Sequence, residues 1–84
     1  MYRAQIYISL KSSIADPQGI SIEKALHSLD YKGIKDVRVG KYLELNIDQD
    51  CSEDEARACV VSMCEKLLVN EVIERYHFDL EKEE

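Results

Sequence analysis

The residues best suited to metal chemistry are two histidines and three cysteines: His27, His77, Cys51, Cys59 and Cys64. Metal sites gather such ligands at short recurring spacings, and the sequence has no Cys-x-x-Cys pair and no histidine–cysteine cluster. On a helix, Cys59 and Cys64 would lie about 140° apart, so they would not face one ligand. We therefore expect no metal site. We expect Cys59 and Cys64 to pack in the core, and the histidines to be surface or half-buried residues.

Motifs for nucleophilic or phosphate chemistry are also missing. The sequence contains neither a G-x-G-x-x-G nor a P-loop pattern, and no serine comes with a base at a suggestive spacing. The run Asp16-Pro17-Gln18-Gly19 could present backbone N–H groups to an anion. However, Asp16 would place a carboxylate where the anion binds. The sequence predicts a helix cap there, and its residue spacings indicate neither a catalytic constellation nor a bound cofactor.

Exposed aromatic residues are the better functional signal. Tyr7, Tyr31 and Tyr42 fall outside the apolar stripes of the predicted elements. Tyrosine and arginine are enriched at protein interfaces. Tyr42, close to Arg38 in the sequence, is therefore the best candidate for a protein contact surface.

Composition limits the partners. The chain has 84 residues and a net charge of −6, which argues against a nucleic-acid partner. No apolar run is long enough for a membrane span, and no signal peptide is apparent. Three cysteines cannot all pair, which favours reduced thiols and a cytoplasmic location. We expect one domain over residues 1–84, small enough that self-association would help bury its apolar surface.

The first half of the chain reads as a strand and a helix. From Tyr2 to Lys11 every second residue is apolar, which is typical of a strand with one buried face. Asp16 and Pro17 suit the N-cap and the first helical position. Four apolar residues then follow at helical spacing, and we expect them to form a buried stripe that ends near Asp30: Ile22, Ala25, Leu26 and Leu29.

Two β-forming runs meet at Gly40-Lys41. Val37 and Val39 alternate with polar residues in the first run, and apolar residues alternate from Leu43 to Ile47 in the second. This pattern predicts a hairpin with an exposed turn.

The second helix is the one that the sequence predicts most clearly. Ser52-x-x-Glu55 forms a capping box. A 3.6-residue apolar period then continues to Leu68, and Asn70 is expected to end the helix in the left-handed conformation. The last strand is predicted over 71–80.

The predicted order is β-α-β-β-α-β. This is the α+β, ferredoxin-like layout, an antiparallel sheet with each helix covering one face. The layout hosts many functions, so it does not identify one.

Three segments in order resemble one family: LKSSIADPQG, EKALHSLDYKGIKDVRVGKYLEL and MCEKLLVNEVIERYHFDLE. Together they look like PurS, the small subunit of phosphoribosylformylglycinamidine (FGAM) synthase, over nearly the whole chain. The sequence departs from the family pattern at Asp30, where a glycine is expected, and at Val69-Asn70-Glu71, where Ala-Asn-Pro is expected.

The resemblance implies a non-catalytic subunit in de novo purine biosynthesis. The assembled ligase converts formylglycinamide ribonucleotide, ATP and glutamine to formylglycinamidine ribonucleotide, ADP, phosphate and glutamate. It implies a PurL-type synthetase that binds ATP and magnesium, and a PurQ-type glutaminase that releases ammonia. The small subunit would form a dimer or tetramer, bridge these two partners and aid ammonia transfer.

Candidate partner-contact residues follow from the matching motifs. The loop-to-helix motif contributes Asp16, Pro17, Gln18 and Gly19, and the hairpin motif contributes Arg38, Gly40, Lys41 and Tyr42. Two alternatives stay open from the residues alone. One is a small-molecule-sensing module of the same layout, supported weakly by Gln18 and Gly19. The other is a small free-standing enzyme, disfavoured because the first loop lacks an arginine.

Overall fold

The computed structural model describes residues 1–83; Glu84, the last residue of the predicted domain, lies outside them. The described elements are strand β1 (Tyr2–Leu10), helix α1 (Pro17–Ser28), strand β2 (Gly40–Ile47), helix α2 (Glu53–Met63), a π-helical segment (Cys64–Leu68) and strand β3 (Glu74–Lys82). The α+β class, with two helices and an antiparallel sheet, is confirmed.

In the part of the chain that the structure describes, the sheet has three strands in the order β2-β1-β3. Both outer strands run antiparallel to β1. Ile6 lies opposite Leu43 on one side and opposite Phe78 on the other. The alternation predicted for β1 is confirmed, since Tyr2, Ala4, Ile6 and Ile8 are all buried.

The predicted hairpin is wrong. Residues 34–39 form no strand, and β2 begins at Gly40, where the turn was expected. The reason is that the backbone N–H groups of this segment donate to side chains of the α1 region. Val37 N–H donates to Glu23 and Val39 N–H to Asp16. The segment therefore runs beside α1 towards β2, and it does not pair with β2.

The core lies between one face of the sheet and α2. Ala56, Val60 and Cys64 are fully buried against the apolar residues of β1. Five half-buried residues extend this face onto the outer strands: Leu43, Leu45, Tyr76, Phe78 and Leu80. The capping box at Ser52 and Glu55 is present, as predicted.

The first helix does not cover the sheet as expected. Gly19 is its only buried residue, while Ile22 and Leu29 are 39% and 69% exposed. The helix instead packs along residues 34–39, where the His27 ring contacts the Ile34 carbonyl at 2.8 Å. The predicted buried stripe is therefore wrong for the single chain.

The second helix changes its winding after Met63. Val69 N–H donates to the Cys64 carbonyl, an i→i+5 bond, and this shifts the helical phase. Leu68 then turns inward, whereas Leu67, which belongs to the apolar period predicted up to Leu68, is 83% exposed. Asn70 is not left-handed as expected, since among the described non-glycine residues only Asp30 and Asp36 have positive φ.

Candidate functional site

Asp16 joins two of the predicted motifs. Its Oδ1 accepts the Gly19 N–H at 2.9 Å and caps α1, while its Oδ2 accepts the Val39 N–H at 2.7 Å. The side chain is buried. These N–H donors, first Val39 and then Gly19, lower the pKa of the Asp16 carboxyl below its ordinary value. The carboxylate therefore fixes the start of α1 against the entry to β2.

Gly19 is needed because two backbones approach closely there. A Cβ at this position would collide with the Val37 carbonyl oxygen and would lie 3.0 Å from Asp16 Oδ2. Any side chain would push α1 away from the crossing segment. Asp16 and Gly19 therefore have positioning roles, since both are buried.

Arg38 contacts the loop between β1 and α1. Its Nη2 donates to the carbonyl oxygens of Lys11 and Ile14 at 2.9 and 3.0 Å. The guanidinium therefore fastens the loop between β1 and α1. No sequence pattern indicates this contact, because the acceptors are main-chain atoms more than twenty residues away.

Gly40 and Lys41 lie at one end of the sheet. A Cβ on Gly40 would stand 2.6 Å from the Ile8 carbonyl oxygen, so this strand pairing requires glycine. Lys41 Nζ lies 3.3 Å from Glu74 Oε2, and the Glu74 side chain is only 11% exposed. The Asn70 N–H donor, followed by Lys41, lowers the pKa of the Glu74 carboxyl.

These elements enclose an open pocket of about 440 Å³ where α1 begins. The end of β1, the start of α1 and strands β2 and β3 all contribute to its walls. The lining includes Ile8, Leu10, Pro17, Gln18, Lys41 and Glu74. The structure thus brings the Asp16-Pro17-Gln18 and Gly40-Lys41 motifs to one place, although 21 residues lie between Gln18 and Gly40 in the sequence.

A row of aromatic side chains crosses the face of the sheet that points away from the core. Tyr7 lies between its cross-strand neighbours, with ring centroids 5.2 Å from Tyr42 and 4.8 Å from His77. Tyr42 is 49% exposed. The expectation that His77 is a surface or half-buried residue is confirmed, since it is exposed. Its alternation with the core residues of β3 places it on this face, but only the strand register shows it beside Tyr7.

Residues 1–83 contain no convergence of three metal-ligating side chains. All three cysteines are free. Cys64 is in the core as predicted, where burial raises the pKa of its thiol. Cys59 is exposed, contrary to expectation, because it lies on the outer side of α2. None of the described helices has the length and apolar character needed to cross a bilayer.

A family model described as PurS, phosphoribosylformylglycinamidine (FGAM) synthase, matches residues 3–82. The chain belongs to the PurS family. Subunit PurS of this synthase from Bacillus subtilis is 48% identical over 82 residues, which cover 98% of this chain and 95% of that protein. The resemblance recognised in the three sequence segments is therefore confirmed.

Solved structures agree with this membership. PurS of Methanocaldococcus jannaschii, described as one of the subunits of formylglycinamide ribonucleotide amidotransferase in the purine biosynthetic pathway, superposes with a TM-score of 0.87 at 34% identity, covering all of both chains. A chain from the structure of PurLQS from Thermotoga maritima has a TM-score of 0.85 at 30% identity, covering 94% of this chain and 95% of that one.

Proposed function

We propose that this chain is the non-catalytic small subunit of FGAM synthase and that it holds a PurL-type synthetase and a PurQ-type glutaminase together. The observation that carries this proposal is the full-length likeness to a chain of the Thermotoga PurLQS structure. Membership of the PurS family over residues 3–82 supports it independently.

The chemistry gives such a subunit a reason to exist. The glutaminase releases ammonia, which is mostly protonated in water at neutral pH, and ammonium is a poor nucleophile. A subunit that fixes the orientation of the two active sites and excludes solvent between them preserves the reactive neutral molecule. ATP and magnesium would be held by the synthetase, and assembly would take place in the cytoplasm.

The shape of the chain suits a bridge. Its principal extents are 52 × 29 × 14 Å, so it offers well-separated surfaces to two partners. Six candidate contact residues are exposed or line the open pocket: Pro17, Gln18, Arg38, Gly40, Lys41 and Tyr42. The buried Asp16 and Gly19 position the start of α1 against the entry to β2.

Self-association is part of the proposal. Five of the large exposed hydrophobic residues lie on α1 and the segment after it: Ile20, Ile22, Leu29, Tyr31 and Ile34. A monomer gains nothing from exposing such a cluster, whereas a dimer or tetramer would bury it.

Reconstitution tests the bridging role. Synthetase and glutaminase chains are mixed with and without this protein, and product formation is measured with glutamine and, separately, with an ammonium salt. We expect the glutamine-driven reaction to require this chain and the ammonium-driven reaction to proceed without it. Dependence of both reactions would indicate that it supports the synthetase active site. Dependence of neither would reject the proposal.

A charge reversal tests the contact surface. Lys41→Glu should weaken co-elution with the synthetase and glutaminase, because it places a negative charge on an exposed candidate contact residue. Lys66→Glu makes the same change on the exposed side of the π-helical segment and serves as the control. Equal co-elution of both variants would remove Lys41 from the interface.

A further inference from the structure

The pocket at the start of α1 presents two opposite charges side by side. Lys41 Nζ lies 3.3 Å from Glu74 Oε2, and the Lys41 side chain is 66% exposed. Glu74 is held in place by the Asn70 N–H, which donates to its Oε1 at 2.9 Å. The pocket therefore has a fixed carboxylate and an exposed ammonium group at one position.

The remaining walls are mostly apolar. Four apolar residues line the pocket: Ile8 and Leu10 from β1, Pro17 from α1 and Val39 before β2. Gln18 adds a carboxamide. The volume of about 440 Å³ lies within the range of small-molecule sites, which combine apolar walls with a few polar groups.

Charge balance decides which ligand would fit. A ligand with only a negative charge would meet the carboxylates of Glu74 and Asp16, and one with only a positive charge would be repelled by Lys41. A zwitterion replaces the Lys41–Glu74 pair with two new pairs and leaves neither side chain without a counter-charge. Lys41 can turn to a ligand carboxylate because its side chain is 66% exposed, while the Glu74 side chain, 11% exposed, stays in place.

We propose that this pocket binds a free α-amino acid. Its carboxylate would lie on Lys41 and its ammonium on Glu74, and its side chain would extend along Ile8, Pro17 and Val39 towards Gln18. A carboxamide side chain would suit Gln18, so L-glutamine is the first probe. The site goes beyond the bridging role and is tested on this chain alone.

Occupation of the site would be coupled to the position of α1. The ligand would touch β1, the first turn of α1, β2 and the start of β3, elements held together in the free chain by Asp16, Arg38 and the Lys41–Glu74 pair. Binding would therefore stabilise the docked arrangement of α1.

The first experiment is a titration of the ¹⁵N-labelled chain with L-glutamine, followed by amide chemical shifts. We expect saturable shifts at Val39, Gly40, Lys41 and Glu74, with a dissociation constant in the range of about 1 mM or tighter. N-acetyl-L-glutamine and L-glutamine amide each lack one of the two charges and should not saturate the same shifts. Absence of saturable shifts with L-glutamine, or shifts confined to other regions, would overturn the proposal.

Two substitutions locate the charges. Lys41→Met and Glu74→Gln should each weaken L-glutamine binding by about tenfold or more, because each removes one of the two ion pairs. Lys66→Met is the matched control and should bind as the unaltered chain does. The same spectra report whether each variant is folded. Undiminished binding by well-folded Lys41→Met would reject the proposed orientation.

Discussion

At the scale of single residues, Asp30 occupies a position that favours glycine. It follows the C-cap of α1 with a φ of 73°, and its N–H donates to the His27 carbonyl. A side chain in this left-handed conformation is strained, although aspartate tolerates it better than most residues. This is also the position at which the family pattern led us to expect glycine.

Asp30→Gly should therefore stabilise the protein. We expect the free energy of unfolding to rise by about 0.5–1 kcal/mol, because glycine adopts the left-handed conformation without a Cβ penalty. Urea unfolding provides the measurement. Asp30→Ala is the control and should lower stability. Stabilisation by alanine would show that removing the charge, and not relieving backbone strain, is responsible.

Asp16 should make stability depend on pH. Its pKa is lowered in the folded chain, as are those of Glu55, through Ser52, and Glu74. A carboxyl with a lowered folded pKa contributes stability above its unfolded value, about 3.9 for aspartate, and this contribution is lost as pH falls through the folded value. The melting temperature should therefore fall steadily below about pH 5.

Asp16→Asn tests the contribution of this residue. In asparagine Oδ1 accepts a hydrogen bond but Nδ2 only donates, so the two side-chain atoms cannot each accept one of the Gly19 and Val39 N–H groups. The variant should therefore melt at a lower temperature at neutral pH. Its melting temperature should also fall less steeply with acid, measured by circular dichroism from pH 7 to about pH 3. If the melting temperatures of the two proteins fall in parallel with pH, the pKa of Asp16 does not change on unfolding.

Local contacts were the ones that sequence predicted well. The N-cap at Asp16 and the capping box at Ser52 and Glu55 depend on atoms within three residues, so their patterns can be recognised directly. Arg38 and the second acceptor role of Asp16 depend on backbone groups more than twenty residues away. No sequence spacing predicts those contacts, and the candidate pocket they build could be recognised only once the chain was folded.

At the scale of elements, β1 and β3 were predicted because their alternation matches a sheet with one buried face. Val37 and Val39 show the same alternation but form no strand. Periodicity reports which side chains could share a face, not which acceptors the backbone finds. Here carboxylates of Asp16 and Glu23 replaced a neighbouring strand.

Gly19→Ala tests the docking of α1 on this segment. The added methyl group would collide with the Val37 carbonyl oxygen, and overpacking of this kind typically costs about 1–3 kcal/mol. We expect a corresponding loss in the free energy of unfolding, measured in urea. Gly33→Ala is the matched control, because a Cβ there meets nothing within 4 Å.

The Gly33 variant should be neutral or slightly stabilising, by at most about 1 kcal/mol, since no described glycine has positive φ. Equal effects of the two substitutions would mean that α1 can shift away from residues 37–39 without loss.

At the scale of the whole molecule, the chain is more extended than its length requires. Its radius of gyration is 16.6 Å, whereas a compact chain of 84 residues has about 12 Å. The excess arises because α1 lies beside the crossing segment, while the sheet face carrying Leu43, Leu45 and Phe78 stays only half-buried. An extended chain with exposed apolar residues on α1 and the segment after it is suited to association.

Leu29→Gln should therefore shift the protein towards monomers. Leu29 is 69% exposed at the end of α1, beside Tyr31. Burying a leucine contributes about 1.5–3 kcal/mol, and a two-fold interface loses that contribution twice. Sedimentation equilibrium across a dilution series gives the dissociation constant. Leu67→Gln is the matched control, an equally apolar residue, 83% exposed, on the π-helical segment. If Leu67→Gln weakens self-association and Leu29→Gln leaves the dissociation constant unchanged, the interface lies at the π-helical segment and not at α1.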